Sequence, residues 1–161
     1  IFFATLLISL LSSPQASGEE MNGNAVDPSV RYHALSKNLE SLKAEQEFLL
    51  FRKTFQTSDS KYLILDPSAG KGMMLYRNRV LRTFLLEKAN KKTANPKKGI
   101  VELTGKVDGS LKKRMLTFDT LVLHSRQKEP GRLKRPAYKL GRSDMAALYY
   151  ALDIGSKAYV K

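Results

Sequence analysis

His33 and His124 are the only imidazoles in the chain, and it contains no cysteine. Without a thiol there is no cysteine nucleophile, no disulfide and no thiolate metal site, and two distant histidines leave too few donors for a zinc centre. No metal or other cofactor is expected. Ser12, Ser13 and Ser125 lack the His and Asp partners that would make any of them a nucleophile. Gly70-Lys71-Gly72 carries glycines that would let backbone N–H groups face an anion, but the spacing of a phosphate loop is missing and a β-turn explains both glycines. What remains is charge. The net charge of +13 arises from 28 Lys and Arg against 15 Asp and Glu, and Gly70 to Arg142 holds only five of the acids, Glu87, Glu102, Asp108, Asp119 and Glu129. A face of this kind favours polyanionic partners such as nucleic acid, anionic lipid or a wall polymer, and the plainer reading is a solvated basic surface.

The basic residues cluster on stretches that read as loops: Lys88 to Lys98, Lys112-Lys113-Arg114, and Arg126 to Arg135. Single-stranded nucleic acid would require aromatic rings interleaved with these charges for stacking, and Tyr138 is the only aromatic beside the last cluster. That argues against nucleic acid as the partner.

The elements that must position these groups follow from periodicity. Ile1 to Leu11 is an apolar run too short to span a bilayer comfortably, and Ala16-Ser17-Gly18 then places small residues where a signal peptidase reads. Residues 1–18 therefore read as a leader, truncated at its start and cleaved after Gly18, with an uncleaved membrane anchor as the alternative. Residues 19–26 form a polar linker. Asp27-Pro28 supplies an N-cap and first-turn proline for an amphipathic helix over 27–58. Leu35, Leu39, Leu42, Gln46 and Leu49 recur at alternating steps of four and three, which suits a dimerising stalk. Phe48-Leu49-Leu50-Phe51 is wider than such a seam needs and favours a helix packed on the domain.

From Lys61 the period shortens. Strands are expected at Tyr62–Leu65, Met73–Tyr76, Val80–Leu86, Ile100–Leu103, Met115–Phe118, Leu121–His124 and Lys157–Val160, with polar turns at Asp66–Gly70 and Arg77–Arg79. A short helix is expected over Asp144–Leu152, capped by Ser143 and closed near Gly155.

The meander from Lys61 to Phe84 resembles the opening of the L,D-transpeptidase (YkuD-type) domain, with a strand ending in Asp, a short apolar strand ending in Tyr, a polar turn and a third strand. Asp144 to Val160 is similar to that family's closing helix, glycine and strand, and Leu121-Val-Leu-His124 resembles the strand delivering its first motif His. The likeness spans residues 61–161. It implies a mainly β domain, a sandwich or mixed sheet with a short helix, preceded by the long helix. It also implies peptidoglycan as the natural partner and the cell envelope or periplasm as the location.

In that family a Ser-His-Gly-Cys-Ile-Arg-like run supplies a Cys that attacks a peptide carbonyl after the neighbouring His takes its proton. Registered back from Asp144, Ala137 stands where the Cys would be, Arg135 where the base would be, and Lys139 in place of the motif Arg. A methyl group cannot attack a carbonyl, and a guanidinium protonated at physiological pH cannot act as general base. The expectation is therefore an exported pseudoenzyme that binds peptidoglycan or another anionic wall polymer in a vestigial cleft. His124, Arg126, Arg135, Tyr138 and Lys139 are its candidate contacts, although His124 reads more plainly as a core histidine. Two alternatives stay open: an enzyme working by a non-cysteine route, and a scaffold acting through its helix, with a homodimer possible there.

Overall fold

The computed structural model describes residues 27–89, 94–108, 114–125 and 135–161. The leader and linker expected over 1–26 lie outside the described residues. No described helix is long and apolar enough to cross a membrane.

Helix α1 (Pro28–Gln56) begins as its first residues dictate, because the Asp27 carboxylate accepts the Ser29 N–H at 2.9 Å and Pro28 occupies the first turn. Nine strands follow among the described residues: β1 (Lys61–Asp66), β2 (Lys71–Tyr76), β3 (Arg79–Leu85), β4 (Glu87–Lys88), β5 (Gly99–Val107), β6 (Met115–Phe118), β7 (Val122–His124), β8 (Ala137–Lys139) and β9 (Lys157–Val160). A second helix, α2 (Arg142–Ala151), lies between β8 and β9. The strands join in the order β3-β2-β1-β9-β5-β6-β7-β8-β4, with β1/β9 and β7/β8 parallel and the other pairs antiparallel.

The long strand β5 carries the turn from one half of the sheet to the other. Its first residues pair with β9 and its last with β6, and the register shifts between Leu103 and Gly105. Such a bulge bends and twists a strand, letting one strand serve two differently oriented halves.

Tyr62-Leu63-Ile64-Leu65 shows no polar alternation because both faces of β1 are covered. Leu63 and Leu65 enter the main core with Leu103, Leu116, Phe118, Leu123 and Tyr138, onto which α2 packs Met145 and Leu148. Tyr62 and Ile64 face the other way and join Leu75, Tyr159 and Phe51 of α1, flanked by Phe48 and Phe55. The ring centroids there lie 4.8 Å (Phe55–Tyr62), 5.0 Å (Phe48–Tyr159) and 5.5 Å (Phe51–Tyr62) apart, within the range of favourable tilted and edge contacts. The Tyr159 hydroxyl donates to the Ala44 carbonyl at 2.8 Å.

The helix thus packs on the domain, but not through the whole apolar cluster expected at Phe48–Phe51. Successive helical residues are set roughly 100° apart, so Phe48 and Phe51 share the sheet-facing side while Leu49 and Leu50 stay exposed.

Three further differences have local causes. The β2–β3 turn is two residues, Arg77 and Asn78, both at positive φ (47° and 65°), the left-handed pair that matches hairpin twist; Arg79 is already in the strand. Gly70 turns the chain at φ 63°, but Gly72 lies in β2, where a Cβ would collide with the Phe84 ring opposite. Helix α2 starts two residues early, with Gly141 as its N-cap and no side-chain cap, so Ser143 belongs to the first turn.

Candidate functional site

The expected cleft centres on β7 and β8, whose parallel register sets Val122 beside Ala137, Leu123 beside Tyr138 and His124 beside Lys139. Side chains alternate across a strand. Leu123 and Tyr138 therefore enter the main core, whereas Val122, His124, Ala137 and Lys139 share the opposite face of the sheet. The position read as the lost nucleophile and the histidine read as resembling the family's first motif His thus share one face of adjacent strands, two residues apart in register.

The backbone holds this pair rigidly. The Val122 N–H donates to the Pro136 carbonyl and the Leu140 N–H to the His124 carbonyl, each at 2.9 Å. On the other side of β8, the Ala89 N–H donates to the Ala137 carbonyl at 2.9 Å, and β4 pairs Glu87 with Lys139. Neither β4 nor β8 was anticipated from the sequence, since elements of two or three residues are too short to show a period. The stretch from Lys88, read as a loop, begins as strand because β8 supplies it with a partner.

His124 is buried. Tyr138, expected at a binding rim, is instead a core residue. Its ring is buried, its hydroxyl has no hydrogen-bond partner among the described residues, and burial pushes its phenol above the usual range. Lys139 is half-exposed, its ammonium donating to the Glu87 carboxylate at 3.1 Å. Arg135 is exposed, yet one guanidinium N–H donates to the Phe118 carbonyl at 3.1 Å, which fixes it at the approach to β8. Arg126 lies outside the described residues, as do Lys91, Lys92, Lys112, Lys113 and the stretch 126–134.

Arg114, expected on a polyanion-binding face, and Lys106 both have structural duties. Arg114 is buried: it donates to the Tyr150 hydroxyl at 2.6 Å, approaches Asp108 at 3.4 Å, and lies over the Tyr150 ring with its carbon 4.6 Å from the centroid. Lys106 donates to the Leu152 carbonyl at 2.7 Å and sits 4.6 Å above the centroid of Tyr149. Both positive charges stand at the C-terminal end of α2, where the aligned peptide dipoles favour a cation. The aromatic pair Tyr149-Tyr150 three residues before Asp153 was the sequence signal for this arrangement, and the sequence reading passed over it. At the other end of α2, Arg82 of β3 reaches Asp144 at 2.7 Å and ties the edge strand to the helix's first turn. No group of three or more His, Asp or Glu able to hold a metal occurs among the described residues.

No protein-family model matches the sequence, and no curated protein matches it. Solved structures do match. An L,D-transpeptidase (Yku) from Stackebrandtia nassauensis superposes with a TM-score of 0.52 at 17% identity, over 65% of this chain and 57% of that one. An Enterococcus faecium L,D-transpeptidase, solved as a cysteine-to-serine mutant, gives 0.51 at 14% identity over 63% of this chain and 50% of that one. This chain thus spans 57% of the length of the first and 50% of that of the second. The catalytic domain of an E. faecium L,D-transpeptidase gives 0.50 at 13% identity over 65% of this chain and 99% of that one. The fold of residues 61–161 is that of L,D-transpeptidase catalytic domains: a mainly β mixed sheet with a short helix, here preceded by the long helix α1.

Proposed function

We propose that this is an exported, non-catalytic cell-envelope protein whose L,D-transpeptidase-like domain binds peptidoglycan or another anionic wall polymer. The observation that carries the reading is Ala137. It occupies the suspected nucleophile's place on β8, on the same sheet face as His124, in a chain with no sulfur nucleophile to offer. The scaffold of a peptidoglycan-processing fold persists while the group that would attack a carbonyl is a methyl, and the neighbouring base position is Arg135.

Binding without turnover fits the groups that remain. Arg135 and Lys139 stand at the approach to β8 and along it, with Arg126 nearby in sequence, and carboxylates of stem peptides pair with Arg and Lys through charge-assisted hydrogen bonds. His124 lies on that same face, whereas Tyr138 faces the main core behind it. The chain's net charge of +13 would raise the rate of encounter with an anionic polymer.

The test is cosedimentation with purified sacculi at low and moderate salt, with DNA as control. Saturable pelleting with sacculi is expected, and the double charge reversal Arg135→Glu/Lys139→Glu should weaken it about tenfold or more. Undiminished pelleting of the double variant, or equal pelleting with DNA, overturns the reading. Incubation with muropeptides should yield no new product by mass; any product would establish a non-cysteine enzyme instead.

A further inference from the structure

The sheet uses only one end and one face of α1. Every described side chain from Ser29 to Lys43 is exposed, and the first tie to the domain is the Ala44 carbonyl that accepts the Tyr159 hydroxyl. Along this free arm, Tyr32, Leu35, Leu39 and Leu42 recur at alternating steps of three and four, which draws a single stripe. The stripe lies on the side of the helix opposite Phe48, Phe51 and Phe55. Leu35 is 67% exposed, Leu39 53% and Leu42 63%, so three leucines in succession meet water. A helical arm of this length is marginal in isolation, because most helical stability in proteins comes from covering an apolar face.

Charge decides what covers it. In contrast to the strongly basic chain as a whole, the stretch from Arg31 to Glu45 is nearly balanced, with Arg31, Lys37 and Lys43 against Glu40 and Glu45. A polyanionic surface therefore finds little to hold there. A second copy of the same arm fits better. When two arms run antiparallel with Leu35 opposite Leu39 of the second copy, Tyr32 falls opposite Leu42, and the two-fold axis repeats both contacts. In that register Arg31, flanking the stripe, falls opposite Glu45 of the second copy, twice per dimer. Arg31 and Glu45 make no ion pair within the chain among the described residues. A parallel pairing sets Arg31 nearest Ser36 and Glu45 nearest Leu50, with no ion pair at either.

We propose that α1 is a dimerisation arm, pairing antiparallel with α1 of a second copy through Tyr32, Leu35, Leu39 and Leu42 and locked in register by Arg31 and Glu45. The two domains then sit at opposite ends of the paired arms. This is independent of whether the domain binds wall polymer.

Because the natural chain has no cysteine, single substitutions supply unique thiols. Full-length Leu35→Cys and Leu39→Cys chains, mixed under mild oxidation, should form the mixed disulfide faster than either forms a homodisulfide. Sedimentation of the unmodified chain should show a dimer. Arg31→Glu should weaken it about tenfold by turning two ion pairs into repulsions, and Arg31→Glu/Glu45→Arg should restore it. Predominant homodisulfides, or a dimer indifferent to the charge exchange, would overturn the antiparallel register. Cross-linking no faster than at a Lys37→Cys control, away from the stripe, would overturn the dimer.

Discussion

The two flanks of the sheet are built for different purposes. On the α1 side, Phe48, Phe51 and Phe55 meet Tyr62 and Tyr159, and almost every buried group is an aromatic or aliphatic carbon. On the β7–β8 side, Val122 pairs with Ala137 and His124 with Lys139 on one face, and backbone hydrogen bonds from both neighbouring strands fix β8 in that register. The first flank stabilises the fold, and the second preserves a geometry. On the function proposed above, a methyl at Ala137 stands in for a nucleophile while the α1 flank goes on holding the domain together.

The comparison breaks most visibly on the first flank. Phe51→Ala removes a buried ring that contacts Tyr62, Phe55 and Tyr159, and should lower the unfolding free energy by about 3–5 kcal/mol, read by denaturant titration. A loss under about 1 kcal/mol would mean that α1 does not contribute to the domain's stability. Gly72→Val comes next, since the new Cβ runs into the Phe84 ring across the β2–β3 pair. About 1–3 kcal/mol of destabilisation is expected, largely relieved when Phe84→Leu is added.

On the second flank the same titration should barely respond. Ala137→Cys should change stability by less than about 1.5 kcal/mol, and its thiol should not process muropeptides, because Arg135 cannot take its proton. Turnover by Ala137→Cys alone would show that the site kept a base elsewhere.

The smallest effect is a matter of pH at the turn leading from β1. The Asp66 carboxylate accepts the Ser68 hydroxyl at 2.6 Å and the Ala69 N–H at 2.9 Å, and these bonds hold it below the usual carboxylate range. A depressed folded-state pKa contributes stability above the unfolded value of about 3.9 and loses it as pH falls through the folded value. Asp66→Ala should therefore lower stability at neutral pH and flatten the acid limb of the stability curve below about pH 4. An unchanged acid limb would show that the turn is held by its backbone alone.

Much of the fold was legible where a period had room to repeat. The apolar run at β1 announced a strand, Met115–Phe118 and Lys157–Val160 formed as read, and Asp27-Pro28 started a helix that runs for 29 residues. The candidate site was legible only in part. The absence of cysteine comes directly from residue types, but spacing back from Asp144 does not reveal which side of the sheet a residue faces.

That assignment belongs to pairing across the chain. Tyr138 became a core ring and Ala137 came to share a face with His124 because β8 docks parallel to β7 in one particular register, and a shift of one residue would have reversed them. Arg114 left the expected basic surface because Tyr149 and Tyr150 arrive from a helix distant in sequence and clasp it. Composition alone determined what this protein lacks, since no fold can supply a thiol the sequence does not contain. Tertiary structure decided which of the remaining groups share a face, because strand pairing brings together residues whose separation along the chain carries no information about their distance in space.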